Sequence, residues 1–275
     1  MSEEATNTVD FASPLLALGE TRVPFGSPLW ERVNETAPHD VVTFPRRAFG
    51  VVPGRGAPFA AHAGLALRAP KQRAYRREPI DAVGEWTQWL WMSPTLRDEL
   101  EHAAGVGGTQ RGWSRRMPGA LVVEQRRLAA LARERTRAAV VEETALSFLR
   151  ALMRLEATDE LPRRGKAHRA VARVIEHLSG RPTESHSLGE LARIGGLTES
   201  HLCVVFRRET GATIGEYADG LRLAQALERL EGRADRDLSA IAHELGYSSH
   251  SHFSARFRRR FGCTPREARA RLALS

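Results

Sequence analysis

The spacing of apolar positions changes along the chain, and each change marks a region. From Val41 to Met92 the apolar residues come in short runs, "VVTF", "AFGVV", "GLALRA" and "EWTQWLWM", separated by Pro, Gly or charge. Such runs, bounded by turn formers, predict antiparallel strands and a small β-barrel or sandwich. Trp86, Trp89 and Trp91 fit a strand with one buried face. The forty residues before this region mix polar stretches with Pro and Gly breaks. They predict little regular structure before Trp30.

At Ser93 the period lengthens. Ser93 is placed to cap a helix whose first residue is Pro94. Beyond the "GVGG" break, no Pro or Gly follows Gly119 until after Leu155. Leu121, Leu128, Leu131, Val140, Val141, Ala145, Phe148, Leu149, Leu152 and Leu155 recur there at helical spacing. This predicts one long helix or a helical pair, with an apolar stripe that either dimerises or packs on the strands. "ATDELPRRGK" (157–166) has the composition of a linker, and the rest of the chain reads helical.

The last ninety residues contain a repeat. Leu188, Leu191, Ala192 and Gly196 recur fifty positions later as Leu238, Ile241, Ala242 and Gly246. Leu202, Phe206 and Gly211 recur fifty-one later as Phe253, Phe257 and Gly262. One residue has been added in the turn. Each copy predicts a helix, a Gly turn and a second helix, capped by Thr198 in the first copy and by Ser248 or Ser249 in the second. That is the sequence form of a helix-turn-helix. "AVARVIEHL" (170–178) predicts a support helix and "IGEYADGLRLAQALERL" (214–230) a rigid connector.

Set on a helical wheel with Phe253 at 0°, the second helix places Phe257 and Arg260 inward. Ser251, Ala255, Arg258 and Arg259 face outward. In the first copy Leu202 and Phe206 point inward, while Ser200, Val204, Arg207 and Arg208 point outward with Cys203 on the flank. His250 and His252 lie about 200° apart by the same count, so one helical turn does not aim both at one metal. His252 also has a counterpart in His201.

The run Leu191-Ala192, Gly196, Leu202, Phe206, Gly211, Tyr217, Arg222-Leu223, Ala226, Leu230, Ile241-Ala242, Gly246-Tyr247, Phe253, Phe257, Gly262, Thr264-Pro265 resembles the AraC/XylS family DNA-binding domain over roughly 167–272. The resemblance implies an α+β protein: an amino-terminal cupin-like β-barrel with a helical extension, then an all-α domain of two helix-turn-helix units. The expected division is 1–112 for the sensing domain, 113–160 for a helical dimerisation or linker segment, and 161–275 for DNA binding. The units themselves span 187–210 and 237–261. The expected function is a sequence-specific transcriptional regulator, a homodimer controlled by a small-molecule effector, with promoter DNA and RNA polymerase as partners. Ser200, Cys203, Val204, His250, Ser251, Ser254 and Ala255 are the candidates to face bases. Arg207, Arg208, Arg258 and Arg259 are the candidates to reach phosphates. The family often carries a long polar residue where Val204 and Ala255 stand. These two offer only apolar contact, for instance to a thymine methyl.

Composition adds a partner and removes several chemistries. The 275 residues carry a formal charge of +8, and 39 of the 41 basic residues are arginine. Arginine suits bidentate contact with phosphate. The excess is concentrated in 111–175 and reads there mainly as a solvated helix face. Two cysteines, Cys203 and Cys263, make no disulfide framework. No apolar stretch approaches eighteen residues, and a soluble cytoplasmic protein is expected. Tyr75, Trp86, Trp89 and Trp91 are candidates to line an effector pocket. His62 stands without His or Cys neighbours, so neither metal nor cofactor is expected. The alternative reading is a DNA repair or modifying enzyme with Cys203 as nucleophile. It lacks an organised base or acid beside that thiol.

Overall fold

Strand pairing begins earlier than the polar texture suggests. In the computed structural model, which describes residues 4–35, 40–54, 59–68, 74–79, 84–105, 114–155, 166–231 and 237–273, β1 (Thr6–Ala12) and β2 (Leu16–Val23) form an antiparallel hairpin. The expectation of little regular structure before Trp30 is thereby corrected. β1 is an edge strand with mostly exposed side chains, so it has no buried alternation for a sequence pattern to reveal.

The strands build two antiparallel sheets. The larger has the order β1-β2-β9-β4-β7-β10, with β4 (Asp40–Pro45), β7 (Leu65–Arg68), β9 (Glu85–Met92) and β10 (Ser114–Arg116). The smaller has the order β3-β8-β5-β6, with β3 (Val33–Glu35), β5 (Phe49–Pro53), β6 (Phe59–Ala61) and β8 (Ala74–Pro79). Alternation on β7 separates their two cores. Leu65 and Leu67 pack with Phe49 and Val51 of the smaller sheet. Ala66 joins Val42, Phe44, Leu90 and Met92 on the opposite face. Among the described residues these are two open, stacked sheets. No closed barrel is seen among them: each sheet ends on strands paired on one side only, so the expected cupin-like barrel is not confirmed.

Helices cover the outer face of the larger sheet. They are α1 (Pro94–Ala103), α2 (Gly119–Arg133) and α3 (Ala138–Met153). Ser93 caps α1 as its spacing implies. The long apolar stripe is a pair of helices, broken beside Arg135, which has a φ of 52°. The stripe packs within the chain: Val141, Ala145, Phe148, Leu149 and Leu152 join Val122, Val123, Leu128 and Leu131 in the core beneath the sheet. Two arginines of the basic stretch do not belong to a solvated face, since Arg126 is 2% exposed and Arg115 4%. β10 falls inside the stretch expected to be helical from 113, because it pairs with β7 at the sheet edge. Apart from Lys166, the expected linker 157–166 lies outside the described residues.

Seven helices follow: α4 (Lys166–Gly180), α5 (Leu188–Gly195), α6 (Glu199–Thr210), α7 (Ile214–Leu230), α8 (Leu238–Glu244), α9 (His250–Phe261) and α10 (Pro265–Leu272). Their cores divide unequally. α4, α5 and α6 enclose Val174, Leu178, Leu191, Leu202 and Phe206, with Tyr217 from the start of α7. Phe253, Phe257 and Phe261 of α9 instead join the core under the larger sheet, together with Leu223, Leu227 and Leu230 from the end of α7. The second helix-turn-helix is thus built onto the amino-terminal domain, and the first is built mainly around itself, with Ala48 joining its core from that domain. The approach of α2 to α9 is close enough to require glycine: a β-carbon on Gly119 would collide with the Arg260 carbonyl oxygen. Among the described residues no helix is long and apolar enough to cross a membrane.

Candidate nucleic-acid interface

The two units are made locally by matching turn chemistry. Ser187 caps α5, and the helix ends on Gly196 in the left-handed region at φ 67°. Thr198 then accepts a hydrogen bond from the His201 amide and starts α6. In the second unit Asp237 caps α8, Gly246 turns at φ 77°, and Ser249 accepts from the His252 amide at 3.1 Å. Of the two serines considered for this cap, Ser249 is the one used. Ala192 and Ala242 are buried at the crossings. Left-handed Gly211 and Gly262 close α6 and α9, and Thr264 caps α10 at Pro265.

This framing sorts the side chains of α6 and α9. Leu202, Phe206, Phe253 and Phe257 are fully buried. Ser200, Cys203, Val204, Arg207 and Arg208 are exposed on α6, as are His250, Ser251, Ala255, Arg258 and Arg259 on α9. Ser254 is half-buried, with its hydroxyl 3.4 Å from the His250 ring. Val204 is 65% exposed, an apolar side chain left in solvent on an otherwise polar face. Each helix therefore presents small or apolar groups along its outward stripe and arginines in its last turn. That surface has the chemistry to meet base edges and phosphates together.

The arginines divide further than the wheel implies. Arg258 points away from the fold, while Arg256 turns in to Asp219, Nε to carboxylate 3.6 Å. Arg260 does not sit among the phenylalanines. It is exposed by area, and its guanidinium lies over Gly64 of the amino-terminal domain. Asp219 also accepts a 2.9 Å hydrogen bond from the Tyr247 hydroxyl, tying α7 to the turn of the second unit. Burial and the Asp219 carboxylate push that phenol's pKa up, which keeps it a donor.

The expected effector residues are not brought together. Successive residues of β9 face opposite sides, so Trp86 lies on one face and Trp89 and Trp91 on the other. Trp86 is held between the guanidiniums of Arg22 and Arg46, at 4.3 and 4.2 Å from its ring. Trp89 donates to Asn7 at 2.9 Å, and Tyr75 packs in the smaller sheet. His62 is neutral at pH 7, because burial lowers its pKa to about 4. Its Nδ1 faces the Ala63 carbonyl at 3.0 Å. Sequence reading also passed over His177, His186 and Glu190, whose ligand atoms lie within 4.8 Å of one another. They converge from α4, a loop and α5, and no sequence motif joins them. Cys203 and Cys263 are free thiols, the first exposed and the second buried.

Comparison with known proteins finds similarity concentrated in the carboxy-terminal part. Residues 191–271 match the family model of a helix-turn-helix domain. The transcriptional activator RhaS of Pectobacterium carotovorum subsp. carotovorum is 31% identical over 105 residues, 38% of this chain and 37% of RhaS. The transcriptional regulator NimR of Escherichia coli is 30% identical over 122 residues, 42% of this chain and 44% of NimR. The matched stretch spans less than half the length of these curated relatives. Among solved structures, a Chromobacterium violaceum transcriptional regulator with an AraC-type DNA-binding domain aligns at 28% identity and a TM-score of 0.36. It covers 38% of this chain and 92% of its own. An apo ToxT variant of Vibrio cholerae aligns over 95% of this chain and 99% of its own, at 12% identity and a TM-score of 0.40.

Proposed function

We propose, on the premise that residues 191–271 form an AraC-type helix-turn-helix domain, that the protein is a sequence-specific, DNA-binding transcriptional regulator. The observation that carries this reading is the paired sorting of α6 and α9. Two capped helices, joined by one continuous connector, each expose a stripe ending in arginines while burying their phenylalanines. Ser200, Cys203, Val204, His250, Ser251, Ser254 and Ala255 approach base edges, and Arg207, Arg208, Arg258 and Arg259 reach phosphates. The β-rich amino-terminal part (1–112) acts as a cupin-like sensing domain for a small-molecule effector, and the helical segment 113–160 links it to the DNA-binding part. The protein works in the cytoplasm as a homodimer beside RNA polymerase, and it changes transcription without altering the DNA.

The test is genome-wide mapping of bound sites with transcript changes on deletion of the gene. A defined set of promoters, bound and changed in expression, is expected. Chemical modification of the DNA, or a covalent product that depends on Cys203, would overturn the reading in favour of a DNA-modifying enzyme.

A further inference from the structure

Where the amino-terminal domain meets the two helix-turn-helix units lies a cavity of about 660 Å³. Its walls come from the loop after β6 (His62, Ala63), from β10 (Arg116), from the first half of α7 (Glu216, Tyr217, Asp219) and from α9 (Arg256, Arg259, Arg260). A volume between about 300 and 1,000 Å³ is that of a small-molecule site.

The charge inside is unbalanced in a specific way. Both carboxylates on the wall are already engaged. Asp219 takes the Tyr247 hydroxyl and Arg256. Glu216 accepts both the amide and the hydroxyl of Thr213 at 2.8 Å, closing a capping box. Arg116 donates to the Thr210 carbonyl at the end of α6. Among the described residues, Arg116, Arg259 and Arg260 have no carboxylate within ion-pairing distance. Burial, and after it the nearby Arg116, lower the pKa of Arg260 against the pull of Asp219. Tyr217 is 8% exposed, and its hydroxyl is enclosed in the protein rather than open to the cavity.

We infer that this cavity is a binding site for a small organic anion, a carboxylate or a phosphate ester, held by Arg116, Arg259 and Arg260. Guanidiniums in a fixed fork suit both classes of anion. The neutral His62 ring, stacked edge-on to Tyr217 at 5.4 Å, offers an apolar wall and no competing charge. The ligand would touch the amino-terminal domain, the connector and the second recognition helix at once. A site so placed couples occupancy to DNA affinity by linkage, since whatever favours one arrangement of these parts is favoured by it in return. This inference rests on the regulator reading and gives its effector a location and a chemical class.

The experiment is thermal unfolding and calorimetric titration of the full chain at constant ionic strength. Citrate stands for the carboxylates, pyrophosphate and glucose 6-phosphate for the phosphates, and chloride is the reference. One arm is expected to raise the unfolding midpoint saturably by roughly 2–8 °C, and the arm that does so identifies the class. Arg260→Gln and Arg116→Gln should each weaken that probe about tenfold, the loss of one charged hydrogen bond. If no probe exceeds chloride, or if the variants are stabilised as strongly as the parent, the site is disproved. Promoter binding by the same preparations separates the two readings. A protein that binds promoter DNA but no probe loses the anion site and keeps its regulator role; one that binds a probe but no DNA does the reverse.

Discussion

The Arg46 guanidinium, on the loop after β4, donates to the Glu231 carboxylate at 2.6 Å across 185 residues of sequence. Arg46 is almost fully buried, stacked on Trp86, and Glu231 is 11% exposed at the end of the connector α7. Arg126 and Arg133 approach the same carboxylate, each at 3.5 Å. Glu231 therefore compensates Arg126 and shares Arg46 with Glu20, 4.0 Å away, and it joins the amino-terminal domain to the helix that spaces the DNA-binding units.

Glu231→Ala should accordingly be costly. It leaves Arg126 buried without this partner and Arg46 with Glu20 at 4.0 Å, and a loss of about 3–5 kcal/mol is expected. Arg133→Ala removes the one cation of the three that is 37% exposed, and should cost less than about 1 kcal/mol. Urea unfolding midpoints of the two variants measure the contrast; equal losses would mean that the carboxylate is not holding the buried pair.

Salt dependence should resolve the arginines of the recognition helices. Replacing Arg207, Arg208 or Arg258 by alanine should lower the slope of log affinity against log salt by about 0.9 for each phosphate no longer neutralised. Replacing Arg259, which also borders the cavity between the domains, should lower the slope in the same way. Titrations of operator DNA across a salt series report each value.

The two thiols give a footprint. Cys203 is exposed on α6, whereas Cys263 is buried. A maleimide reagent should label Cys203 alone in the folded protein, and bound operator DNA should suppress that labelling. Undiminished labelling in the complex would remove Cys203 from the base-facing stripe.

Acid should weaken the fold through His62. Its folded pKa is about 4, against 6.5 in the unfolded chain. Between these values the unfolded chain takes up a proton that the folded chain refuses. The contribution is therefore complete above about pH 6.5 and is lost as pH falls toward 4, amounting to roughly 3 kcal/mol at most. Arg116 and Arg260 add to the burial by disfavouring a third positive charge, while the Ala63 carbonyl pulls the other way. His62→Asn should flatten the slope of stability against pH over that window.

The carboxy-terminal half was legible in the sequence because its signals are local. Gly196 and Gly246 must take left-handed backbone, Thr198 and Thr264 must cap, and Phe206 and Phe257 must point inward. Each demand is written within a turn or two of the residue. The edge strand β1 was not legible, because its ladder is satisfied by backbone and its side chains stay in solvent. The tryptophans of β9 misled for a related reason. Their abundance suggested a lined pocket, while buried Glu85, Thr87 and Gln88 show that the strand hides polar groups in networks of their own. Arg46, Arg126 and Glu231 were invisible for want of any sequence proximity. A buried ion cluster between distant segments leaves no periodic trace.

The fusion of α9 to α2 bears on how the protein can be dissected. A fragment beginning at α4 would keep most of the first unit's core, losing Ala48 from it. It would strip the second of the cover that α2 provides over Phe257 and Phe261, leaving a sticky apolar flank in water. The expected product is a half-sound fragment that aggregates from one end, and one carrying α2 as a grafted lid should stay in solution.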